Sequence, residues 1–107
     1  MNDLIHKKCL PCEGGVPSLK RNEAIKLLRN LNGWKIISNR KILKEYHFVN
    51  FKHTMDFVNK VAVLAEAEKH HPDMFISYAL LKIELCTHAI NGLSENDFIL
   101  AAKIDQI

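Results

Sequence analysis

Two segments of this 107-residue chain carry side chains whose types and spacing suit proton chemistry, Glu66-Ala67-Glu68-Lys69-His70-His71-Pro72 and Cys86-Thr87-His88. An unperturbed imidazole has a pKa of about 6.5, so both its acid and base forms are present near neutrality. Three imidazoles without a complete metal-ligand set therefore point to proton transfer. Adjacent residues on a regular helix diverge by about 100°. Pro72 disfavours helical backbone at His71, which predicts a helix ending near Lys69 or His70 and leaves both rings room to face one mouth. Glu66 stands one helical turn before His70 and is placed to favour its protonated form. On chemistry alone, other readings stay open. The pair also suits solvated helix-end residues and His88 a loop residue. A His-rich metal site is a further option, but adjacent histidines chelate one ion awkwardly and carboxylates at ligand spacing are lacking.

A strand must deliver His88. Leu81, Ile83 and Leu85 alternate with Lys82, Glu84 and Cys86, so strict alternation puts His88 opposite the leucine face. Strand parity neither buries this ring nor guarantees that it meets His70. Upstream, Phe57, Val58, Val61, Leu64 and Ala65 form the apolar stripe of the helix that ends in the histidine pair, with Thr54 or His53 near its start. Ser18 is read as the N-cap of a first helix through Leu31, closed by Gly33 as C-cap. Trp34–Ser38 and Lys41–Val49 read as a hairpin about Asn39-Arg40, and Met74–Ser77 as a short extended piece. Ser94-Glu95-Asn96-Asp97 opens a last helix, with Asp97 at the capping-box offset from Ser94. The order is helix, strand, strand, helix, strand, strand, helix. It predicts an antiparallel or mixed sheet with helices layered on one face. The other face and the edge strands are then available for self-association, so a homo-oligomer is expected.

Residues 1–17 form a Pro- and Gly-rich leader expected to be flexible, ahead of a single domain over 18–107. Its Cys9-Leu10-Pro11-Cys12 pair lacks a second ligand pair at zinc-ribbon or finger spacing, although His6 could supply a third ligand. The remaining histidines, His47 and His53, read as surface or partly packed residues, and Trp34, Tyr46 and Phe48 as core candidates. A net charge of +3 with interleaved acids gives no dense basic stripe, which argues against a nucleic-acid partner. No apolar run has signal-peptide or membrane-span length. The three cysteines then read as reduced thiols of a cytoplasmic protein.

The chain resembles the pterin-4a-carbinolamine dehydratase family in its bacterial form, along nearly its whole length. The resemblance is carried by Lys8-Cys9-Leu10-Pro11-Cys12-Glu13-Gly14-Gly15-Val16-Pro17, Gly33-Trp34, Tyr46-His47-Phe48 and Glu66 to Pro72. It continues through Tyr78, Thr87-His88 and Gly92-Leu93-Ser94-Glu95-Asn96-Asp97. It implies an α+β fold of two layers, a four-stranded antiparallel sheet with three helices on one face, assembling as a homodimer or homotetramer. It implies dehydration of 4a-hydroxytetrahydropterin to quinonoid dihydropterin, recycling the pterin of an aromatic amino acid hydroxylase. The pterin is then substrate rather than cofactor, and no metal is called for. The family's active-site histidines fall on His70, His71 and His88. Its substrate-lining positions fall around His70 to Pro72 and Cys86 to Ala89, so that Glu66, Pro72, Cys86, Thr87, Ala89 and Asp97 are taken as substrate-binding. His70 and His88 are the expected proton carriers, with His71 holding the pterin. The competing reading is a non-catalytic dimerisation or regulatory module of the same fold.

Overall fold

The computed structural model describes residues 3–10 and 17–107. The regular elements run α1 (Arg21–Leu28), β1 (Lys35–Ile37), β2 (Lys41–His47), α2 (Phe51–Glu68), β3 (Asp73–Ser77), β4 (Leu80–Leu85) and α3 (Glu95–Ile104), with short 3-10 helices at Asp3–His6 and His88–Ile90. The strands form one antiparallel sheet in the order β1-β2-β4-β3. This is the α+β order expected, with three helices and a four-stranded sheet.

Alternation along the strands decides which sheet face is covered. Pairing Ile42 with Leu85, Lys44 with Ile83 and Tyr46 with Leu81 gathers the apolar residues of β2 and β4 on one side. Ile42, Leu81, Ile83 and Leu85 have no exposed surface there. Full burial of each such side chain contributes roughly 1.5–3 kcal/mol. From α2, Thr54, Val58, Val61 and Ala65 are buried at the three- and four-residue spacing of a helix face. The α3 helix is buried on nearly all sides, from Asn96 to Ala102 and at Ile104, which makes it the central helix. The opposite sheet face is open, with Phe75 and His47 exposed.

Tight turns fix the strand registers. Ser38 and Asn39 both take left-handed backbone between β1 and β2, the twist that a hairpin turn requires. Between β3 and β4 the turn is Tyr78-Ala79, with Tyr78 left-handed. The Thr54 hydroxyl donates to the Tyr78 carbonyl at 2.7 Å, and the Phe48 N–H donates to the Ala79 carbonyl at 2.7 Å. The first turn of α2 is thereby pinned to this hairpin.

Three element ends differ from the sequence expectation. The N-cap of α1 is Lys20 rather than Ser18, because the Leu19 N–H bonds the Leu93 carbonyl at 2.8 Å and holds the chain extended. The α2 helix starts at Phe51, before Thr54 and His53, because the Asn50 side chain caps the His53 N–H at 2.8 Å. Gly33 does adopt positive φ, but it lies beyond the α1 cap at Arg29 and turns the chain into β1.

Residues 3–10 pack against the domain. Leu4 is buried in the core, and the 3-10 helix around it packs on α3. The Cys9 N–H donates to Glu68 Oε1 at 3.0 Å, and Lys103 Nζ donates to Glu68 Oε2 at 2.8 Å. Burial acts to raise the pKa of Glu68, but the Lys103 and Cys9 hydrogen bonds win and hold its carboxyl below the usual range. Burial beside that carboxylate pushes the Cys9 thiol up to about 12. Cys12 lies outside the described residues, and with it the reading of the Cys9-Cys12 pair.

At the far end of α3, Asp105 gathers three donors: the Asn32 N–H at 3.1 Å, Trp34 Nε1 at 3.0 Å and Lys44 Nζ at 2.9 Å. It ties the β1–β2 edge of the sheet to the central helix. Among the described residues no helix is long and apolar enough to cross a membrane.

Candidate active site

The end of α2 sets the direction of the histidine pair. Lys69 takes left-handed backbone at φ 55°. The Lys69 N–H reaches the Glu66 carbonyl and the His70 N–H reaches the Ala65 carbonyl, at 3.4 and 3.2 Å. This is a Schellman closure built on a lysine where glycine is the usual choice. Left-handed backbone disfavours a residue with a Cβ by about 1–2 kcal/mol, offset in part by the greater chain freedom of glycine. Lys69→Gly should therefore raise the unfolding free energy by about 0.5–1 kcal/mol. Urea unfolding followed by circular dichroism measures this, and a loss of stability would contradict the strain.

The reversal sends the two rings opposite ways. His70 is turned inward and buried, with Nε2 at 2.6 Å from Asp97 Oδ1. His71 is exposed, with Nε2 at 2.8 Å from Glu66 Oε2. Glu66 thus partners His71 and not His70, because the left-handed step at Lys69 rotates the following residues off the helix register. The two rings do not share one direction, as leaving the helix had been expected to allow.

The sheet brings the second segment alongside. The β3–β4 register pairs Asp73 with Glu84. The start of β3 therefore lies beside the end of β4, with His70 and His71 just before the one and Cys86 to His88 just after the other. Asp97 closes this end: its Oδ2 accepts the Thr87 hydroxyl at 2.9 Å and the Ser94 N–H at 3.0 Å, while Oδ1 faces His70. Asp97 has no exposed surface. The offset from Ser94 marked it as a helix cap; that the same carboxylate reaches His70 has no signal in the local sequence.

His88 opens a short 3-10 turn that Thr87 and Gly92 close by reciprocal backbone hydrogen bonds at 2.8 and 3.4 Å. Its exposed ring lies 3.7 Å from Asp73 Oδ2 and 3.8 Å from Cys86 Sγ. Asp73 was not among the residues singled out from sequence, although counting outward from the Tyr78-Ala79 turn sets it opposite Glu84 and beside this segment. Burial, then the carboxylates of Asp97 and Asp73, push the Cys86 thiol up. Of the remaining expected positions, Pro72 is half-buried and Ala89 is exposed on the His88 turn.

Each imidazole thus faces a carboxylate of its own: His70 with Asp97, His71 with Glu66, His88 with Asp73. All three stand at the β3 start and β4 end of the sheet. Their direct contacts form three groups rather than one, with the backbone register and the Asp97 bridge relating them.

Fold and site together define a class, small two-layer α+β proteins with ionisable side chains gathered at one end of an antiparallel sheet. Comparison with known proteins narrows it. Residues 17–107 match the family model described as pterin 4 alpha carbinolamine dehydratase, and the chain belongs to that family. A Rickettsia canadensis protein provisionally named pterin-4-alpha-carbinolamine dehydratase is 52% identical over 106 residues, covering 98% of this chain and 97% of its own. A Rubrobacter xylanophilus protein with the same provisional name is 43% identical over the full length of both. Among solved structures, a Brucella melitensis protein described as a transcriptional coactivator/pterin dehydratase aligns with TM-score 0.78 and 32% identity, over 83% of this chain and 96% of that one. A pterin dehydratase-like protein described as a RuBisCO assembly factor in the alpha-carboxysome shares the fold, with TM-score 0.60 and 22% identity over 72% of this chain and 90% of its own.

Proposed function

We propose that this protein dehydrates 4a-hydroxytetrahydropterin to quinonoid dihydropterin, using histidine acid–base catalysis. The observation that carries the reading is the 2.6 Å contact between His70 Nε2 and the fully buried Asp97 carboxylate. An ionised carboxylate only accepts, and Oδ2 already takes an O–H and an N–H, so Oδ1 takes the Nε2–H of His70. That leaves Nδ1 of His70 as the nitrogen that exchanges a proton with substrate. The C4a–O bond breaks as an imidazolium gives its proton to the departing oxygen, which leaves as water. A second imidazole takes the proton of a pterin ring N–H, and the nitrogen electron pair forms the new double bond. His70 and His88 are assigned to these transfers, while His71, held by Glu66, steadies the pterin. Pro72, Cys86, Thr87 and Ala89 would border the ring, and Asp97 acts through His70 and Thr87 as a positioning residue.

The quinonoid dihydropterin so formed, once reduced by two electrons to the tetrahydropterin by a separate reductase, would serve an aromatic amino acid hydroxylase in the cytoplasm again. The open sheet face suits a homodimer or homotetramer. A second reading, a regulatory binding module, draws on the coactivator description of the Brucella relative. Decay of the 4a-carbinolamine at pH 7–8.5 with purified protein separates the two. The dehydratase reading expects acceleration by the wild type and a clear loss in His88→Ala. No acceleration by wild-type protein favours the module, and full activity in His88→Ala removes that ring from the mechanism.

A further inference from the structure

We infer that Asp73, Cys86 and His88 form a site for a borderline-soft divalent cation of the Zn²⁺ type, whose occupancy switches off proton transfer by His88. The ligand atoms of the three residues all lie within 4.8 Å of one another. Cys86 Sγ is 3.8 Å from the His88 ring nitrogens, and His88 Nε2 is 3.7 Å from Asp73 Oδ2. Zinc bonds of about 2.3 Å to sulfur and about 2.0–2.2 Å to nitrogen and oxygen place neighbouring tetrahedral ligands about 3.3–3.6 Å apart. The two distances that involve His88 need close by only a few tenths of an ångström to meet that geometry, and Cys86 Sγ and Asp73 start within 4.8 Å of each other. Thiolate, imidazole and carboxylate together match zinc better than the all-oxygen sets preferred by magnesium or calcium.

The surroundings leave these three residues available. Glu84, the cross-strand neighbour of Asp73, is taken by Lys41 at 2.9 Å and so does not compete. Cys86 is partly exposed, and both Asp73 and His88 are open to solvent. Three protein ligands, from the start of β3, the end of β4 and the turn that follows it, leave the fourth tetrahedral position to water. On binding, the Cys86 thiol releases its proton to solvent as the metal–sulfur bond forms, and the lone pair of His88 is committed to the metal. The site itself stands on geometry, and only its effect on turnover rests on the dehydratase reading above.

The test uses the full chain, reduced with a phosphine and freed of metal, in wild-type form and with Cys9→Ser/Cys12→Ser to silence the leader thiols. Titration with CoCl₂ should give a sulfur-to-cobalt charge-transfer absorption that persists in the leader variant and disappears in Cys86→Ser. Zinc binding by calorimetry should weaken at least about tenfold in Cys86→Ser and in His88→Ala, and less in Asp73→Asn. Saturating zinc should suppress carbinolamine dehydration by the leader variant, while Asp73→Asn, compared with itself without metal, should need more zinc for the same inhibition. A charge-transfer band that survives Cys86→Ser, or no zinc binding by the leader variant, overturns the site. Zinc binding at Cys86 with an unchanged dehydration rate overturns the switch. If the wild type accelerates nothing, the dehydratase reading fails, and the cobalt spectrum still decides the site.

Discussion

Replacing His70 by alanine should slow carbinolamine dehydration by about 10²–10⁴, the contribution of one positioned acid–base group. The ring is buried and held at Nε2 by Asp97, and the proposed mechanism gives its other nitrogen to the substrate. Loss of the whole ring also leaves the Oδ1 lone pairs of Asp97 without their donor. His70→Gln is therefore the companion variant, since it can retain a donor while offering no titratable nitrogen. Both variants should be slow, with far-ultraviolet circular dichroism unchanged in the glutamine variant. Stopped-flow decay of the carbinolamine measures the effect. Activity within a few-fold of wild type in both would remove His70 from the chemistry.

Asp97 should matter for stability and rate together. Its carboxylate receives the His70 ring, the Thr87 hydroxyl and the Ser94 N–H with no exposed surface. Each buried group left without a partner costs about 1–3 kcal/mol, so Asp97→Ala should lose about 3 kcal/mol or more in chemical unfolding. Asp97→Asn keeps the volume but puts an amide donor where two or three donors converge. It should unfold more easily than wild type by a smaller amount and lower kcat by about 10² or more, through the wrong His70 tautomer. A scaffold defect alone would be relieved by lower temperature or a stabilising osmolyte, whereas loss of the positioning carboxylate should lower kcat with KM little changed under those conditions too. A normal kcat in Asp97→Asn would leave Asp97 a helix cap only.

The element order was readable because periodicity switches cleanly between two and 3.6 along the chain. Leu81, Ile83 and Leu85 announce a half-buried strand, and Phe57 to Ala65 a helix face. Element ends were less readable where tertiary hydrogen bonds decide them. Ser18 is a good N-cap residue by type, yet Leu19 is held by Leu93 and the helix waits until Arg21. The first turn of α2 carries few apolar residues because Thr54 is buried through hydrogen bonds to Asn50 and Tyr78, so no stripe betrayed it.

The site was readable as residue types and hidden as partnerships. His70 and His71 follow directly from the helix end, but which carboxylate each meets depends on the left-handed Lys69, a conformation that side-chain type argues against. Asp97 and Asp73 lie on other elements, and only the packing of α3 and the β3–β4 register bring them to His70 and His88.

The Asp105 junction has an optical consequence. Trp34 is the sole tryptophan of the chain, and its indole N–H rests on Asp105, the C-cap of the helix that also carries Asp97. Fluorescence excited at the red edge of the absorption band, where the two tyrosines do not absorb, therefore comes from a single chromophore seated at the docking point of α3. Its emission maximum reports whether that helix is in place without any added dye, in the same cuvette as the kinetics.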